Sequence, residues 1–168
     1  LNVKYKRSPA HNLNGWRAMF NKMKKAVEPV NIGIVGKYFK TGDFVLRDVY
    51  ISIIESLKHA AGASGVKLNI DWLDSTDFED EGALGSLDKY NGILVPGGFG
   101  ERGVEGKINV IKYLRENKIP FFGICYGMQL AVIEYARNVL GLVGAQTTEV
   151  NKNSKYPVID IMPEQIKN

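Results

Sequence analysis

The sequence predicts an α/β fold with a mostly parallel central sheet and helices on both faces. Short apolar segments that end at glycine or proline alternate with longer segments whose apolar residues repeat at helical spacing. Strands without polar alternation are typical of a sheet buried on both faces, and parallel strands require crossover helices. The chain has 168 residues, 45% of them hydrophobic and 24% charged, which suits one domain with a real core.

The predicted elements follow a lead-in of residues 1–28. In this lead-in Trp16, Met19, Phe20 and Met23 lie at i, i+3, i+4 and i+7, which predicts one short amphipathic helix. The predicted strands span residues 30–36, 66–73, 92–95 and 120–124, and the predicted helices span residues 48–61, 104–117 and 128–138. Ligands of such sheets bind beyond the carboxyl ends of the strands. The segments after the third and fourth strands therefore form the candidate site.

Composition narrows the classes of function. The net charge is +4, and basic residues are frequent before residue 26, but no basic motif interleaved with aromatic residues follows, so we expect no nucleic-acid partner. No apolar run approaches the roughly 20 residues that span a bilayer, so we expect no membrane association. The single cysteine excludes an internal disulfide and favours a reducing, cytoplasmic location.

The segment Gly123-Ile124-Cys125-Tyr126-Gly127 has the form G-x-nucleophile-x-G between a predicted strand and a predicted helix. The two glycines permit a sharp turn that leaves the Cys125 side chain exposed and its backbone strained. The N-terminus of the following helix favours the thiolate, and the backbone N–H of Tyr126 faces the position of a developing oxyanion. Free cysteines are often buried hydrophobes, but this context favours a catalytic nucleophile.

A glycine-rich loop follows the third strand. Residues 97–103 contain four glycines, which allow the backbone to approach a ligand closely. The loop matches neither the P-loop nor the dinucleotide-binding fingerprint. We interpret the backbone N–H groups of Gly97 and Gly98 as the second half of an oxyanion hole, with an ordinary flexible turn as the alternative.

A cysteine nucleophile needs a general base, usually histidine. The chain has two histidines. His11 lies in the lead-in, and His59 lies near the end of the predicted helix of residues 48–61. Neither follows a strand end near Cys125 in the predicted topology. The predicted site therefore lacks its base.

At these motifs the chain resembles the class I, triad-type glutamine amidotransferase domains, and among them the CTP synthase family. The resemblance to class I glutamine amidotransferases in general lies in the pairing of a P-G-G loop with a G-x-C-x-G-x-Q turn. The more selective strings are residues 95–108 and 122–139, together with shorter matches at residues 35–38, 50–52, 55–60, 156–160 and 163–165. The resemblance covers nearly the whole chain from about Val30.

The resemblance implies an organisation of the chain. Residues 1–28 would be the linker from an absent N-terminal amidoligase domain, and residues 29–168 a glutamine amidotransferase domain that is incomplete at its C-terminus. The catalytic histidine and glutamate of the family lie C-terminal to Asn168. This piece alone is therefore expected to hydrolyse glutamine very poorly.

Roles for individual residues also follow from the resemblance. Cys125 would attack the side-chain amide of L-glutamine and form a thioester. Gln129 would contact the substrate, Glu149 would recognise its amino group, and Phe99 would form part of the pocket wall. One departure concerns the elbow itself, because Tyr126 stands where the family commonly has leucine. Another is Val150, where phenylalanine is usual.

The resemblance further implies that the released ammonia serves the ATP-dependent amination of UTP to CTP. No cofactor or metal is expected in this domain, whereas ATP and magnesium are expected in the amidoligase domain of the same polypeptide. GTP would be an activator and the full-length protein a homotetramer. The alternatives are another hydrolase with a cysteine elbow, a different class I glutamine amidotransferase, and a non-catalytic binding module.

Overall fold

The computed structural model describes residues 13–37, 50–98 and 100–165. Its helices are α1 (Asn14–Lys25), α2 (Ile51–Ser64), α3 (Val104–Glu116) and α4 (Tyr126–Asn138), and its strands are β1 (Pro29–Gly36), β2 (Lys67–Asp74), β3 (Gly92–Val95), β4 (Phe121–Gly123), β5 (Gln146–Thr147) and β6 (Pro157–Ile159). No helix in these ranges combines the length and the apolar character that crossing a bilayer requires. The predicted helix start at Asp48 lies outside the described residues.

The described residues form two compact units. One contains α1 and α2 and comprises Ile51–Leu68 together with the described residues up to Pro29; the other begins at Val30 and resumes at Asn69. In the first unit, a Cβ placed on Gly62 of α2 would meet Met23 of α1 at 2.8 Å. Met19 and Met23 of the predicted apolar face therefore contact α2, whereas Trp16 and Phe20 of the same face are 64% and 56% exposed.

The predicted parallel sheet is confirmed. Four strands pair in the order β2-β1-β3-β4, and β3 runs parallel to both β1 and β4. The register aligns Ile34 with Leu94, and Leu94 with Phe122. The carboxyl ends of β1, β3 and β4 therefore meet at one edge of the sheet, as expected for parallel strands joined by crossovers.

The core of the second unit lies between this sheet and helices α3 and α4. The strands contribute Val35, Ile93 and Val95, each at most 2% exposed. Their partners on the helices include Ile108, Ile111, Leu114, Leu130 and Ile133. Fully burying side chains of this size contributes about 1.5–3 kcal/mol each, so these contacts fix both helices against the strands that precede them.

A side-chain ion pair joins α3 to α4. The Glu134 carboxylate is almost fully buried and accepts hydrogen bonds from the Arg115 guanidinium, at 3.1 Å from Nε and 2.8 Å from Nη2. Asn138 donates a third hydrogen bond to the same carboxylate. A buried carboxylate needs such partners to offset its lost hydration, so the pair specifies how the two helices align.

Several short elements were not predicted from the sequence. Three 3₁₀ segments span Ser75–Phe78, Glu81–Lys89 and Pro163–Gln165, and β5 pairs with β6 in a separate two-stranded sheet. Asp74 and Asp80 start the first two 3₁₀ segments, because each carboxylate accepts a hydrogen bond from a backbone N–H two residues later. Ser75–Phe78, Pro163–Gln165, β5 and β6 have four residues or fewer, which is too few for a periodic apolar pattern. Glu81–Lys89 is longer, but its two buried leucines, Leu84 and Leu87, are too few to define a period.

Candidate active site

The turn from β4 into α4 places the backbone of three elements in direct contact. A Cβ on Gly123 would lie 2.7 Å from the backbone of Gly127, and a Cβ on Gly127 would lie 2.0 Å from the carbonyl oxygen of Val95. The N–H of Ile124 donates to the same carbonyl at 2.9 Å. Both glycines of the predicted elbow are therefore required by close approach, and the elbow is fixed to the end of β3.

Cys125 occupies the apex of this elbow. Its backbone has φ 52° and ψ −109°, one of two non-glycine residues with positive φ in the described ranges. Such a conformation costs of order 1–3 kcal/mol and persists where the surrounding structure enforces it, frequently at functional sites. The residue is exposed, and its thiol makes no hydrogen bond to another described residue.

The glycine-rich loop after β3 lies beside the cysteine. A Cβ placed on Gly97 would lie 3.5 Å from the Cβ of Cys125 and 3.8 Å from its Sγ. This contact follows from the register, because Val95 pairs with Gly123 and both chains leave the sheet at the same edge. Loop and elbow, predicted separately, are therefore adjacent.

Gly98 faces a different environment. A Cβ at this position would meet the side chains of Lys37 and Lys107 at 3.8 Å. Lys37 follows β1 and Lys107 lies on α3, and their exposed fractions are only 7% and 1%. Of the two predicted loop donors, only Gly97 has a Cβ position within 4 Å of the sulfur.

Glu149 is connected to the same loop. Its Oε1 accepts a hydrogen bond of 3.0 Å from the N–H of Gly100, while the Gly100 carbonyl accepts one of 3.1 Å from Lys37 Nζ. The Glu149 N–H donates to Thr147 Oγ1, next to β5. The predicted amino-group ligand thus lies at the end of the loop that begins beside Cys125.

The remaining predicted residues belong to α4 or lie outside the described ranges. Tyr126 is the first residue of α4, where backbone N–H groups lack intrahelical acceptors. Gln129 lies one turn later, and its N–H donates to the Cys125 carbonyl at 3.1 Å. Phe99 is not among the described residues. The predicted oxyanion donor on the elbow therefore sits directly beside the nucleophile.

Burial, and secondarily the charges of nearby residues, lower the pKa values of the two lysines under the loop. Burial, and secondarily the charge of Lys37, lower the pKa of Lys107 to about 8, against an opposing effect of Asp74. Burial also lowers the pKa of Lys37, with Glu149 opposing it. The buried region beneath the loop therefore carries a costly concentration of positive charge.

This perturbation predicts a pH-dependent stability. The pKa of Lys107 falls from 10.5 in the unfolded chain to about 8 in the folded protein, so between these values the unfolded form binds more protons. The free energy of unfolding should therefore rise with pH across this window, by up to roughly 3 kcal/mol. Chemical denaturation from pH 7 to pH 10 measures this slope.

The control for this slope is Lys107→Met, which removes the titrating group but keeps a side chain of similar length. Its free energy of unfolding should lack the slope of the parent protein. Lys112→Met, on the same helix, should retain it. If the free energy of unfolding rose equally with pH in the parent protein and in Lys107→Met, Lys107 would not be the group responsible.

Sequence reasoning did not single out Lys37 or Lys107. A signal existed for the second, because Lys107 falls on the buried stripe of α3 formed by Val104, Ile111 and Leu114, where a charged residue is unusual. Lys37 directly follows a strand and carries no such pattern. In the described part of the chain, no group of three or more His, Cys, Asp or Glu residues is placed to hold a metal ion.

Comparisons with known proteins agree on one family. The family model described as glutamine amidotransferase class-I matches residues 45–165. The CTP synthase of Methanocaldococcus jannaschii is 53% identical over 160 residues, which are 92% of this chain and 29% of that protein. The CTP synthase of Clostridium acetobutylicum is 53% identical over 150 residues, which are 89% of this chain and 27% of that protein.

A solved structure is also similar. It is described as the glutaminase domain of Trypanosoma brucei CTPS with bound acivicin, and it matches with a TM-score of 0.73 and 42% identity. The match covers 80% of this chain and 50% of that one. Against the curated relatives above, the chain spans less than a third of their length.

Proposed function

The chain belongs to the class I glutamine amidotransferase family, and from this premise we propose that Cys125 hydrolyses the side-chain amide of L-glutamine. The observation that carries the proposal is the exposed thiol at a strained elbow, with its Sγ beside the backbone of Gly97. A cysteine held in this way can attack a carbonyl whose oxygen points toward backbone N–H donors.

The proposed reaction has two steps. The Cys125 thiolate attacks the amide carbon, and the resulting oxyanion accepts hydrogen bonds from the N–H groups of Gly97 and Tyr126, with Gly98 as a further candidate. The carbon–nitrogen bond then breaks, the nitrogen leaves as ammonia after taking up a proton, and a glutamyl thioester remains. Water cleaves the thioester to release glutamate and restore the thiol.

The proton transfers require a general base in addition to the thiol and the backbone donors. We propose that it comes from sequence beyond these 168 residues, as the family resemblance implies. This proposal makes the isolated chain a poor glutaminase, since a thiolate and an oxyanion hole alone leave the proton transfers uncatalysed.

Substrate recognition is assigned to three further residues. We propose that the Glu149 carboxylate binds the α-ammonium of glutamine, because an ion pair with hydrogen bonding fixes a charged end strongly. Its anchoring by the Gly100 N–H supports a fixed position near the loop. Gln129, one turn into α4, and Phe99 would contact the remainder of the substrate.

For the complete protein we propose glutamine-dependent synthesis of CTP. The support is the identity of about half the residues with CTP synthases along nearly the whole chain. An amidoligase domain of the same polypeptide would bind UTP, ATP and magnesium and receive the ammonia. We further propose that GTP activates the complete protein, that it forms a homotetramer and that it is located in the cytoplasm.

Active-site labelling tests the glutaminase proposal. Acivicin, bound in the related structure, should form one covalent adduct on the intact protein, which peptide mass spectrometry should locate at Cys125. Glutamine at ten times its dissociation constant should slow the labelling about tenfold by occupying the site. Asparagine, which is one methylene shorter, is the matched control and should protect far less.

Two outcomes would overturn the proposal. One is labelling that glutamine does not slow, which would mean that the thiol is reactive without a glutamine site. The other is an intact protein that acivicin leaves unlabelled at Cys125 while iodoacetamide alkylates it.

A further inference from the structure

Two buried side chains beneath the glycine-rich loop have no part in the reaction described above. Lys107 is 1% exposed and the side chain of Tyr126 is 2% exposed, and both are among the largest fully buried side chains of the described residues. The Lys107 Nζ lies 5.7 Å from the centre of the Tyr126 ring. They reach the loop from α3 and α4 respectively.

The ammonium of Lys107 lies over this ring. Within the described ranges it makes no hydrogen bond to a side chain or carbonyl oxygen. Lys37 is a positively charged neighbour and Asp74 the negatively charged one that acts on it. An aromatic face attracts a cation in a desolvated site, so the Tyr126 ring is the direct contact that offsets part of the cost of burial.

The other end of Tyr126 reaches the loop. Its hydroxyl donates to the Gly100 carbonyl at 3.4 Å, alongside the 3.1 Å hydrogen bond from Lys37. Burial, with Glu149 and two other carboxylates, raises the pKa of Tyr126 to about 12, so the hydroxyl stays protonated and able to donate. The Gly100 N–H is held by Glu149. Both polar groups of Gly100 are therefore fixed.

We propose that Lys107 and Tyr126 act as one unit that positions Gly97, Gly98 and Gly100 of the loop while Cys125 attacks the substrate. The inference rests on the proposed glutaminase function. The Lys107 ammonium supports the loop at Gly98 and holds the Tyr126 ring in place, and the Tyr126 hydroxyl holds the far end of the loop at Gly100. Both are positioning residues, since their side chains act on the substrate only through the loop.

This arrangement gives the tyrosine side chain a role separate from its backbone N–H. A leucine at position 126 would retain the N–H but would offer neither an aromatic face to Lys107 nor a hydroxyl to Gly100. A phenylalanine would retain the face alone. The two substitutions therefore separate the contributions of the ring and of the hydroxyl.

The test measures glutamine hydrolysis by the intact protein. Lys107→Met and Tyr126→Leu should each lower kcat about tenfold with a smaller change in KM, because a displaced loop weakens binding of the oxyanion more than binding of the substrate. The double variant should lose about tenfold as well, rather than about a hundredfold, since coupled residues are not additive. Tyr126→Phe should fall between the parent protein and Tyr126→Leu.

Controls separate positioning from damage to the fold. Lys112→Met and Tyr113→Phe alter the same residue types on α3 away from the loop, and they should leave kcat unchanged. Alkylation of Cys125 by iodoacetamide should proceed at the parental rate in the Lys107 and Tyr126 variants, which reports an intact elbow. If labelling by acivicin proceeds normally in the parent protein, the proposed function stands whatever these variants do.

The inference is overturned by multiplicative losses in the double variant, by single variants with parental kcat, or by losses that appear in KM alone. Loss of iodoacetamide reactivity together with kcat would also overturn it, because the elbow rather than the loop would then be the part affected.

Discussion

Replacing Cys125 with alanine in the intact protein is expected to lower glutamine-dependent CTP formation by on the order of a thousandfold or more. The substitution removes the nucleophile but keeps a side chain at the strained apex, so the elbow and its N–H donors remain. Ammonia-dependent CTP formation should be unchanged, because ammonia supplied from solution bypasses the thioester. The two rates, measured on the same preparation by the appearance of CTP, provide the comparison.

The ammonia-dependent rate is the internal control for folding and for the amination step. Ser86→Ala, which removes a surface hydroxyl bonded only to the neighbouring Ala83 carbonyl, is the matched control variant and should keep both rates. Glutamine-dependent formation that survives in Cys125→Ala would make the chain a binding module. Loss of both rates would show that the substitution had damaged more than the glutaminase.

Gly127→Ala is expected to destabilise the protein by about 3 kcal/mol and to abolish most glutamine hydrolysis. The added methyl would lie 2.0 Å from the Val95 carbonyl oxygen. Backbone atoms form this contact, so no rotamer change relieves it, and α4 must move away from β3. That movement breaks the hydrogen bond from Ile124 to Val95 and displaces the thiol from Gly97.

Gly85→Ala is the matched control, because a Cβ at that position meets nothing within 4 Å. Its free energy of unfolding should stay within about 0.5 kcal/mol of the parent value. Denaturation and glutamine turnover, measured for both variants, test the difference. Equal stability of the two variants would mean that α4 tolerates displacement and that the elbow is less tightly fixed than its contacts indicate.

Much of the fold could be predicted because its strands and helices carry strong periodic signals. The apolar segments at β1 and β3 and the amphipathic stretch of α3 match the described elements closely. The parallel sheet is the one expected from these apolar segments, and the matched family is the one expected from the motifs around Gly97 and Cys125. These motifs can be recognised in the sequence because the chemistry and the backbone geometry both restrict which residues can occupy their positions.

The environment beneath the loop could not be predicted in the same way. Lys37, Lys107 and Glu149 come from three distant parts of the chain, and only tertiary packing brings them to the same loop. Sequence spacing contains no information on such contacts. The different surroundings of Gly97 and Gly98, which are adjacent in sequence, likewise depend on tertiary packing.

The parallel register has a consequence for how the protein acquires its chemistry during folding. Pairing of Ile34 with Leu94 closes a loop of about sixty residues, and such distant contacts form slowly because the chain entropy must be lost first. The turn at Cys125 depends on β3 being already in place, since Val95 holds it. The thiol therefore reaches its position at the elbow only after these long-range contacts have formed. In a partly folded chain Cys125 would lack the strained turn and the neighbouring backbone of Gly97.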